Sequence, residues 1–416
     1  MTFYLFSLGC KVNSYECSSL AMRLIELGYK EDNINPDVVI INTCSVTSVA
    51  DQKSRQHIRK MRKSFPKAVL VVMGCYSQGN YEYIKDNTDA DIIVGTSNRS
   101  LIPSLIDEFL STHQKIVKVE KNTRQFDYEE MGVTSFTDNV RAYLKIQDGC
   151  DNFCSYCIIP YMRGRMRSRN FDNIILEAKN LVNSGYKEII LSGIHVGGYG
   201  KDLKDVTFSS LVESLLNIPH LYRLRISSIE ESEIDDKLIE LLQNKPNLAK
   251  HLHIPLQSGS DTVLKRMNRK YDKEQFLAKI NKIKKVCPDV ALTTDVIVGF
   301  PNESENEFNE CYNFIKECGF NMLHVFPFSS RSGTPASKME GQISSDIKKK
   351  RSEILLNLSK ELWEEYTDKY VDKDISILIE NIKDNMCSGH SSNYISYTFT
   401  NNNYQIGDIV DIVYKK

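Results

Sequence analysis

Short apolar runs alternate with longer amphipathic stretches through the first quarter of this chain. Apolar runs at residues 3–8, 37–43 and 68–74 predict buried strands, and helical periodicity covers Ser14–Leu27 and Val46–Ser64 between them. Strands separated by helices in this way are typical of a parallel sheet with helices packed on its faces. We therefore predict an N-terminal α/β domain over residues 1–119.

A second alternating series follows a polar segment at residues 120–139, which lacks periodicity and is predicted to be a linker. Its predicted strands are Ala142–Ile146, Glu188–Leu191, Leu224–Ser227, Leu252–Leu256, Leu292–Val298 and Met322–Phe328. Helical patterns lie between them at Asn173–Asn183, Ser209–Leu216, Asp235–Gln243, Lys273–Val286 and Ser304–Cys318. Six β/α units over residues 140–344 are too few for a closed eight-fold barrel and indicate an open, partial one.

The pattern changes again near the C-terminus. A charged amphipathic stretch, roughly Ser345–Tyr370, predicts a connecting helix over residues 345–368. Short alternating strands at Ile375–Ile379, Tyr394–Phe399 and Ile409–Tyr414 predict a small β-barrel over residues 369–416. The predicted fold class is α/β with this small β-barrel appended.

Composition and charge exclude several classes of protein. Of the 416 residues, 41% are hydrophobic and 26% charged, which excludes wholesale disorder. The formal net charge of −1 excludes a globally polybasic protein but leaves room for local basic surfaces. No apolar run approaches the roughly 18 residues of a membrane-spanning helix, and the N-terminus lacks the basic segment of a signal peptide. We expect a cytoplasmic protein with no membrane partner.

The eleven cysteines are too sparse for a disulfide scaffold. In a reducing cytoplasm thiols bind metal or perform chemistry more often than they pair, so no disulfide partner is expected. Their spacing is therefore more informative than their number. Five of them show no positional pattern and receive no role: Cys17, Cys287, Cys311, Cys318 and Cys387.

Three cysteines form one compact motif. Cys150, Cys154 and Cys157 are spaced C-x3-C-x2-C directly after the first strand of the second series, where the active-site loops of β/α barrels lie. Three thiolates this close together can converge on one soft metal centre, and on a four-iron cluster they leave one iron open for a small molecule. A three-cysteine zinc loop with a distant fourth ligand is the alternative.

Three further cysteines are far apart in sequence but equivalent in position. Cys10, Cys44 and Cys75 each end a predicted strand, and Gly9 and Gly74 precede two of them. The carboxyl ends of parallel strands meet at one edge of the sheet, and glycine lets the backbone approach closely there. The topology therefore predicts a second three-thiol site. Three ordinary buried cysteines at strand ends are the alternative.

The compact motif resembles the cluster motif of the radical S-adenosylmethionine (SAM) superfamily, which has this spacing and an aromatic residue, here Tyr156, before the last cysteine. The resemblance implies that Cys150, Cys154 and Cys157 hold a [4Fe–4S] cluster whose open iron binds SAM. An electron from a donor such as a flavodoxin or ferredoxin would then cleave SAM to a 5′-deoxyadenosyl radical. The cofactor would supply the difficult chemistry, and the protein would orient it.

Both cysteine sets together resemble the methylthiotransferases, over essentially the whole chain. The matching segments are residues 8–13, 42–47, 74–78, 145–150, 225–230, 253–260, 294–301 and 331–336. The resemblance implies an N-terminal α/β domain, a radical-SAM partial (β/α)6 barrel and a C-terminal TRAM β-barrel of OB-like form. It also implies a second [4Fe–4S] cluster at Cys10, Cys44 and Cys75, where a sulfur methylated by one SAM is attacked by a substrate carbon radical. The product carries a methylthio group in place of an unreactive hydrogen.

The residues after the first cysteine resemble one branch of this family. Lys11, Val12 and Asn13 match the bacterial-type enzymes that modify N6-threonylcarbamoyladenosine (t6A) at position 37, beside the anticodon. The isopentenyladenosine branch has Gln-Met-Asn at this place, and the branch that modifies a ribosomal-protein aspartate has Pro-Lys-Asn. The eukaryotic t6A enzyme carries a C-terminal membrane anchor, which this sequence lacks. The implied partner is the tRNA anticodon stem-loop. A non-catalytic metal-binding and RNA-binding protein is the alternative of another class.

Basic segments adjoin both cysteine sets. Six basic residues lie between Lys53 and Lys63, on a predicted helix after Cys44. Arg163, Arg165, Arg167 and Arg169 are spaced by two after the compact motif, so an extended chain would present them on one side. We predict that both segments meet phosphates, with Arg165 or Arg167 as alternative contacts of SAM. A solvated charged face is the alternative for Lys53–Lys63. The assigned substrate-binding residues are Arg163, Arg165 and Arg331.

Several residues at the ends of the barrel strands are assigned to SAM. They are Ser192, Gly193, Ser227, Glu230, Gln257 and Asp295, together with Tyr156 in the cysteine motif. The C-terminal barrel fits RNA binding less well, because residues 369–416 carry five basic and six acidic side chains. Tyr394 or Tyr397 would supply a stacking aromatic there, although core packing explains both tyrosines equally simply.

Overall fold

The computed structural model describes residues 1–133 and 140–416, so residues 134–139 of the predicted linker lie outside the described part. The N-terminal sheet has six parallel strands in the order β2-β1-β3-β4-β5-β6. They are β1 (Thr2–Ser7), β2 (Lys30–Glu31), β3 (Val38–Thr43), β4 (Val69–Gly74), β5 (Ile92–Val94) and β6 (Ile116–Lys118). The three predicted strands are confirmed. The other three have two or three residues each, too few for a periodic signal.

Helices cover both faces of this sheet. They are α1 (Lys11–Glu26), α2 (Ser48–Ser64), α3 (Cys75–Asn87) and α4 (Ile102–Thr112). Every residue of β3 and β4 is buried, which explains why these strands are continuous apolar runs without alternation. The α2 helix begins where the Thr47 hydroxyl accepts the Ala50 N–H at 3.1 Å. Each of α1, α2 and α3 begins shortly after the end of a strand, so all three helices start close to the carboxyl edge of the sheet.

The second unit is an open parallel barrel with helices outside it. Its strands are β7 (Ala142–Lys145), β8 (Gln147–Asp148), β9 (Arg167–Ser168), β10 (Glu188–Ser192), β11 (Arg223–Ile226), β12 (His251–His253), β13 (Ala291–Val298) and β14 (Met322–Pro327). The wall consists of two three-stranded parallel sheets, β7-β10-β11 and β12-β13-β14, linked by a parallel bridge between Leu224 and Leu248. The short β8 and β9 pair antiparallel at the mouth. The predicted six-stranded partial barrel is confirmed.

Five of the outer helices match the predicted amphipathic segments closely, and the two short ones were not predicted. The outer helices are α5 (Ile159–Arg163), α6 (Phe171–Asn183), α7 (Phe208–Leu216), α8 (Asp236–Asn244), α9 (Asp261–Arg266), α10 (Lys273–Val286) and α11 (Glu305–Cys318), with α12 (Ser345–Asp368) following the barrel. Capping boxes at Asp272 and Ser304 explain why α10 and α11 start at the predicted places. None of the helices among the described residues combines the length and apolar character that a membrane crossing requires.

The C-terminal unit is a four-stranded antiparallel sheet in the order β17-β16-β15-β18. Its strands are β15 (Asp374–Lys383), β16 (Met386–Ser391), β17 (Ser396–Thr400) and β18 (Ile409–Val413). The predicted strand at Tyr394–Phe399 begins two residues late, because Tyr394 lies in a turn with φ of 70°. The unpredicted β16 is rich in small polar residues, which give no strand pattern.

This sheet docks against the base of the barrel through buried charges. Glu188 accepts hydrogen bonds from Arg223 at 2.9 Å and Arg225 at 2.7 Å, and all three residues are buried. Arg225 also donates to the backbone carbonyls of Ser391 and Ser392. The C-terminal sheet therefore closes the end of the barrel that lies opposite the cysteine motif.

Candidate metal centre and substrate cavity

Cys10, Cys44 and Cys75 lie at the carboxyl ends of β1, β3 and β4, and all three line one cavity of about 830 Å³. Gly9 has φ of +103°, and a Cβ there would lie 2.7 Å from the Cys44 sulfur. Only glycine permits this approach of the first strand end to the second thiol. The structure thus brings together the three thiols that strand topology predicts at this edge.

Polar contacts tie these strand ends to the barrel. The Asn13 amide donates to the carbonyls of Leu8 at 2.7 Å and Thr43 at 3.2 Å, joining the ends of β1 and β3. Its oxygen accepts a hydrogen bond from Arg163 at 3.1 Å. Arg163 also lies 3.3 Å from the Cys75 sulfur through its Nε. One guanidinium at the end of α5 therefore contacts the thiol edge of the N-terminal sheet.

The compact cysteine loop is held against the turn after α9. The Ser155 hydroxyl donates to the Arg266 carbonyl at 2.8 Å, and the Asn268 amide donates to the Phe153 carbonyl at 2.9 Å. Arg269 lies 3.5 Å from the Cys154 sulfur and forms an ion pair with Glu230. The loop bearing Cys150, Cys154 and Cys157 is therefore fixed by contacts more than 100 residues away in sequence.

His195 is a partner of this loop that sequence reasoning did not find. Its Nε2 lies 2.6 Å from Glu233. Burial lowers the pKa of His195, but the neighbouring Cys150 and Glu233 outweigh it and raise that pKa to about 10. The Gln147 side chain accepts the N–H of His195 at 2.8 Å and so positions its loop. The only sequence signal was the place of His195 three residues after Ser192, at a strand end.

A buried ionic network connects the two cysteine sets. On α1, Glu16 pairs with Arg99, with Lys145 at 2.9 Å and with Arg163 at 2.7 Å. Asp148, two residues before Cys150, pairs with Lys145 at 2.7 Å and Arg163 at 3.1 Å. Burial alone would raise the pKa of Glu16, but Arg163, Arg99 and Lys145 hold it far below its usual range. This network spans the interface between the N-terminal domain and the barrel.

The prediction that the arginine series presents one phosphate-binding side is wrong. Arg163 ends helix α5, and Gly164 turns the chain with φ of +76° where a Cβ would lie 1.8 Å from the Thr123 carbonyl oxygen. Arg163, Arg167 and Arg169 are buried. Their carboxylate partners are Glu16, Asp148, Glu130 and Glu177, most of which are distant in sequence. These charges are compensated inside the protein.

The other two residues assigned to substrate, Arg331 and Arg165, differ in whether their side chains are buried or exposed. Arg331 is buried and donates to the Ser45 hydroxyl at 2.7 Å and the Asp51 carboxylate at 2.8 Å, so it connects the barrel to α2 instead of facing substrate. Arg165 alone keeps half of its side chain exposed, with Asp151 at 3.2 Å and the Phe153 ring at 4.8 Å. An exposed pair of this kind contributes little to stability and leaves Arg165 accessible beside the cysteine loop.

The residues assigned to SAM divide between two cavities. Ser192, Gly193, Ser227 and Asp295 line the same 830 Å³ space as the three strand-end thiols, which we call the central cavity. Glu230 lines a smaller neighbouring cavity of about 240 Å³ with Cys154, His195 and Arg269. Tyr156 packs against a small hydrophobic cluster. Gln257 lines neither cavity: its backbone continues the barrel wall through bonds to Asp295 and Ile297. The geometry therefore favours neither the assignment of Gln257 nor that of Tyr156, which is absent from the lining of both cavities.

Tyr394 enters the central cavity from the C-terminal sheet. Its ring stacks on His251 with centroids 4.7 Å apart, and the Arg225 guanidinium lies 5.1 Å from its centroid. Tyr397 packs against Tyr414 and Phe399. Neither ring is an exposed stacking platform for RNA in this structure. Tyr394 instead forms part of the cavity floor.

Lys11 also lines the central cavity, directly after Cys10. Burial, together with repulsion from Arg141 and Arg225, lowers the pKa of Lys11 to about 8. In the sequence, Lys11 is notable only as the first residue of the tripeptide Lys11–Asn13. Its position inside the cavity becomes visible only in the structure.

The chemistry of both thiol sets fits iron–sulfur clusters. Burial raises the pKa of Cys75 to about 11 and that of Cys157 to about 12, so a metal that binds these thiols must displace their protons. The buried Ser192 hydroxyl has no hydrogen-bond partner among the described residues, and a ligand in the central cavity would supply one. In the described ranges no group of three or more His, Cys, Asp or Glu side chains has an arrangement that could hold a single metal ion.

Two family models match the chain in the order of its domains. A model described as uncharacterized protein family UPF0004 matches residues 2–95, and the model of the radical SAM superfamily matches residues 144–315.

Curated relatives match over nearly the full length. Threonylcarbamoyladenosine tRNA methylthiotransferase MtaB of Bacillus subtilis is 46% identical over 98% of this chain and 92% of its own. A tRNA-2-methylthio-N(6)-dimethylallyladenosine synthase of Acetivibrio thermocellus is 36% identical over 99% of this chain and 88% of its own. The MtaB protein of Aquifex aeolicus is 35% identical over 90% of this chain and 91% of its own.

A solved structure has a similar fold at low sequence identity. The radical SAM methyltransferase TsrM from Kitasatospora setae superposes with a TM-score of 0.60 at 12% identity, covering 80% of this chain and 76% of that one. At this identity the likeness concerns the fold alone.

Proposed function

Because this chain belongs to the methylthiotransferase family of radical SAM enzymes, we propose that it converts t6A at position 37 of tRNA to 2-methylthio-t6A. Relatives named for t6A and for dimethylallyladenosine both match over most of the chain, and the t6A enzyme of Bacillus subtilis has the higher identity at 46%. The implied cofactors are SAM and two [4Fe–4S] clusters.

The observation that carries the proposal is the central cavity. Cys10, Cys44 and Cys75 form one wall, and Ser192 and Gly193 of the barrel mouth form another. A reaction that joins sulfur to a substrate carbon requires both centres to meet one nucleoside, and holding reactants together is a large source of rate. A volume of about 830 Å³ is in the range of pockets that enclose a small-molecule ligand.

The cysteines would hold the clusters, and the surrounding residues would orient them. Cys150, Cys154 and Cys157 would bind the cluster that opens SAM, while Cys10, Cys44 and Cys75 would bind the other. When bound, these groups supply the one-electron chemistry that activates a carbon–hydrogen bond. Arg269 and His195 contact the first thiol set, and Arg163 contacts the second, so each set has a cation beside it.

The α2 helix supplies a basic surface next to the cavity entrance. Lys53, Arg59, Lys60 and Lys63 are exposed on it, and the helix begins four residues after Cys44. Unlike the buried arginines, these side chains are free to meet phosphates of an anticodon stem-loop. A tRNA substrate and an electron donor of the flavodoxin or ferredoxin type are therefore the proposed partners. The proposed location is the cytoplasm.

The first test measures the modified nucleosides of tRNA. Deleting the gene in its host, in the absence of any paralogue, is expected to remove 2-methylthio-t6A and leave t6A in its place. Nucleoside mass spectrometry separates these species by mass. A plasmid copy of the wild-type gene, but not a Cys150→Ala copy, is expected to restore the methylthio group.

Two outcomes would redirect the assignment. Loss of methylthio-isopentenyladenosine with unchanged 2-methylthio-t6A would place the chain in the other tRNA branch. Loss of a methylthio group from a ribosomal-protein aspartate, with both tRNA nucleosides unchanged, would place it in the third branch.

The second test separates catalysis from simple metal binding. Anaerobic reconstitution is expected to give about eight irons per chain, because two four-iron clusters are proposed. Reduction in the presence of SAM is expected to release 5′-deoxyadenosine and methionine. A zinc-binding or iron-binding RNA protein without catalysis would bind metal tightly and leave SAM intact.

A further inference from the structure

Lys11 is a cation that lines the central cavity. It is the first residue of α1, and it lines the cavity next to Cys10. Among the described residues its ammonium group forms no ion pair, whereas the neighbouring cations Lys145, Arg163 and Arg225 each pair with a carboxylate. A ligand entering this cavity therefore meets one uncompensated positive charge.

The neighbouring cations are all neutralised by the protein itself. Arg163 and Lys145 share Glu16 and Asp148, Arg225 pairs with Glu188 at 2.7 Å, and Arg141 pairs with Glu380 at 3.2 Å. Their carboxylate partners occupy the positions that an anionic ligand would need. Lys11 is the exception within this set.

The cavity around Lys11 is otherwise poor in free negative charge. Arg141, Arg225, His251 and His324 interact electrostatically with its ammonium group, and Glu188 is already occupied by two arginines. The carboxylate that lines the cavity, Asp295, lies 3.2 Å from His253. A small anion placed beside Lys11 would therefore be stabilised by the local charge.

We propose that Lys11 is a specificity-determining residue that binds the threonyl carboxylate of t6A in the central cavity. The inference rests on the proposed function, since it concerns the modified base of that substrate. The t6A side chain ends in a carboxylate, whereas the isopentenyl group is an uncharged hydrocarbon. A charge-assisted hydrogen bond from Lys11 thus favours the binding of t6A. When isopentenyladenosine is bound instead, Lys11 is desolvated and has no partner for its charge.

The first experiment changes the substrate and leaves the enzyme intact. Reconstituted wild-type protein receives anticodon stem-loops that carry t6A, its threonine methyl ester, or unmodified adenosine at position 37. Because esterification removes the negative charge, kcat/KM for methylthiolation is expected to fall about 10- to 100-fold with the ester. Equal kcat/KM for acid and ester would overturn the role of Lys11.

The second experiment changes the protein. Lys11→Met, which keeps the length of the stem and removes the charge, is expected to process acid and ester at similar rates. Lys11→Arg is expected to recover most of the preference for the acid. Lys179→Met removes an exposed lysine on the outer helix α6 and is expected to preserve the wild-type preference. Iron content and reductive SAM cleavage are measured for each variant, since Lys11 adjoins Cys10.

The outcomes distinguish the possible anions. If Lys11 binds the carboxylate of SAM, Lys11→Met raises KM for SAM in reductive cleavage and leaves the acid-to-ester ratio unchanged. If it binds an RNA phosphate, Lys11→Met weakens all three stem-loops equally. Either result overturns the inference while leaving t6A as the substrate. If wild-type protein modifies isopentenyladenosine and not t6A, the proposed function itself is wrong.

Discussion

Replacing Cys10 by alanine is expected to abolish methylthiolation, by at least about 100-fold, while reductive cleavage of SAM continues near the wild-type rate. The reason is that Cys10 lies on the wall of the central cavity formed by the N-terminal sheet, whereas the SAM-cleaving thiols occupy a loop held by Arg266, Asn268 and Arg269 of the barrel. Removing the first thiol leaves those contacts intact. The two products, methylthiolated nucleoside and 5′-deoxyadenosine, are measured in one anaerobic reaction.

Two matched variants complete this experiment. Cys17→Ala removes a thiol that is buried in the hydrophobic core on the same helix α1, and it is expected to retain both activities. Cys150→Ala is expected to lose both, because it removes a proposed ligand of the cluster that would act on SAM. If a correctly folded Cys10→Ala protein also failed to cleave SAM, the division of the six thiols into two sites would be wrong.

Replacing Glu16 by glutamine is expected to destabilise the protein by about 3–5 kcal/mol. Glutamine has nearly the same shape, but Arg99, Lys145 and Arg163 all pair with the Glu16 carboxylate inside the protein. Without it, three buried cations would share the remaining acids Asp148 and Glu129. Unpaired buried charge costs far more free energy than an exposed ion pair returns.

Thermal denaturation of reconstituted protein measures this effect. A loss of this size corresponds to a melting temperature lowered by roughly 3–6 °C for a chain of this length. Glu26→Gln changes an exposed residue at the other end of the same helix and is expected to shift the free energy of unfolding by no more than about 0.5 kcal/mol. Equal melting temperatures for the two variants would show that the network contributes specificity of assembly without net stability.

Much of the fold follows from local patterns. The α10 helix, Lys273–Val286, was predicted to the residue because its apolar positions repeat at helical spacing and Asp272 caps its start. The strands β1, β3 and β4 were predicted from continuous apolar runs, which are typical of parallel strands buried on both faces. Where the pattern was short or polar, as in β5 and β16, it carried no such signal.

The convergence of Cys10, Cys44 and Cys75 was also predictable, for a topological reason. Parallel strands place their carboxyl ends at one edge, so three residues that end three such strands lie together whatever their separation in sequence. The compact motif needed even less, since its three cysteines are local neighbours. The six proposed cluster ligands were therefore identified without coordinates.

The sequence alone thus determined the order of the domains, the parallel sheets and the two sets of thiols, because these follow from periodicity, topology and short spacing. Only the tertiary structure decided which charges face a ligand. Arg163, Arg169 and Arg331 are of the residue type that phosphate sites use. Their charges are neutralised, however, by acids on other elements, namely Glu16, Glu130, Glu177 and Asp51. Lys11 lines the cavity and forms no ion pair with the residues that the structure describes. Whether a charge is compensated depends on residues brought together by folding, and no local pattern records it.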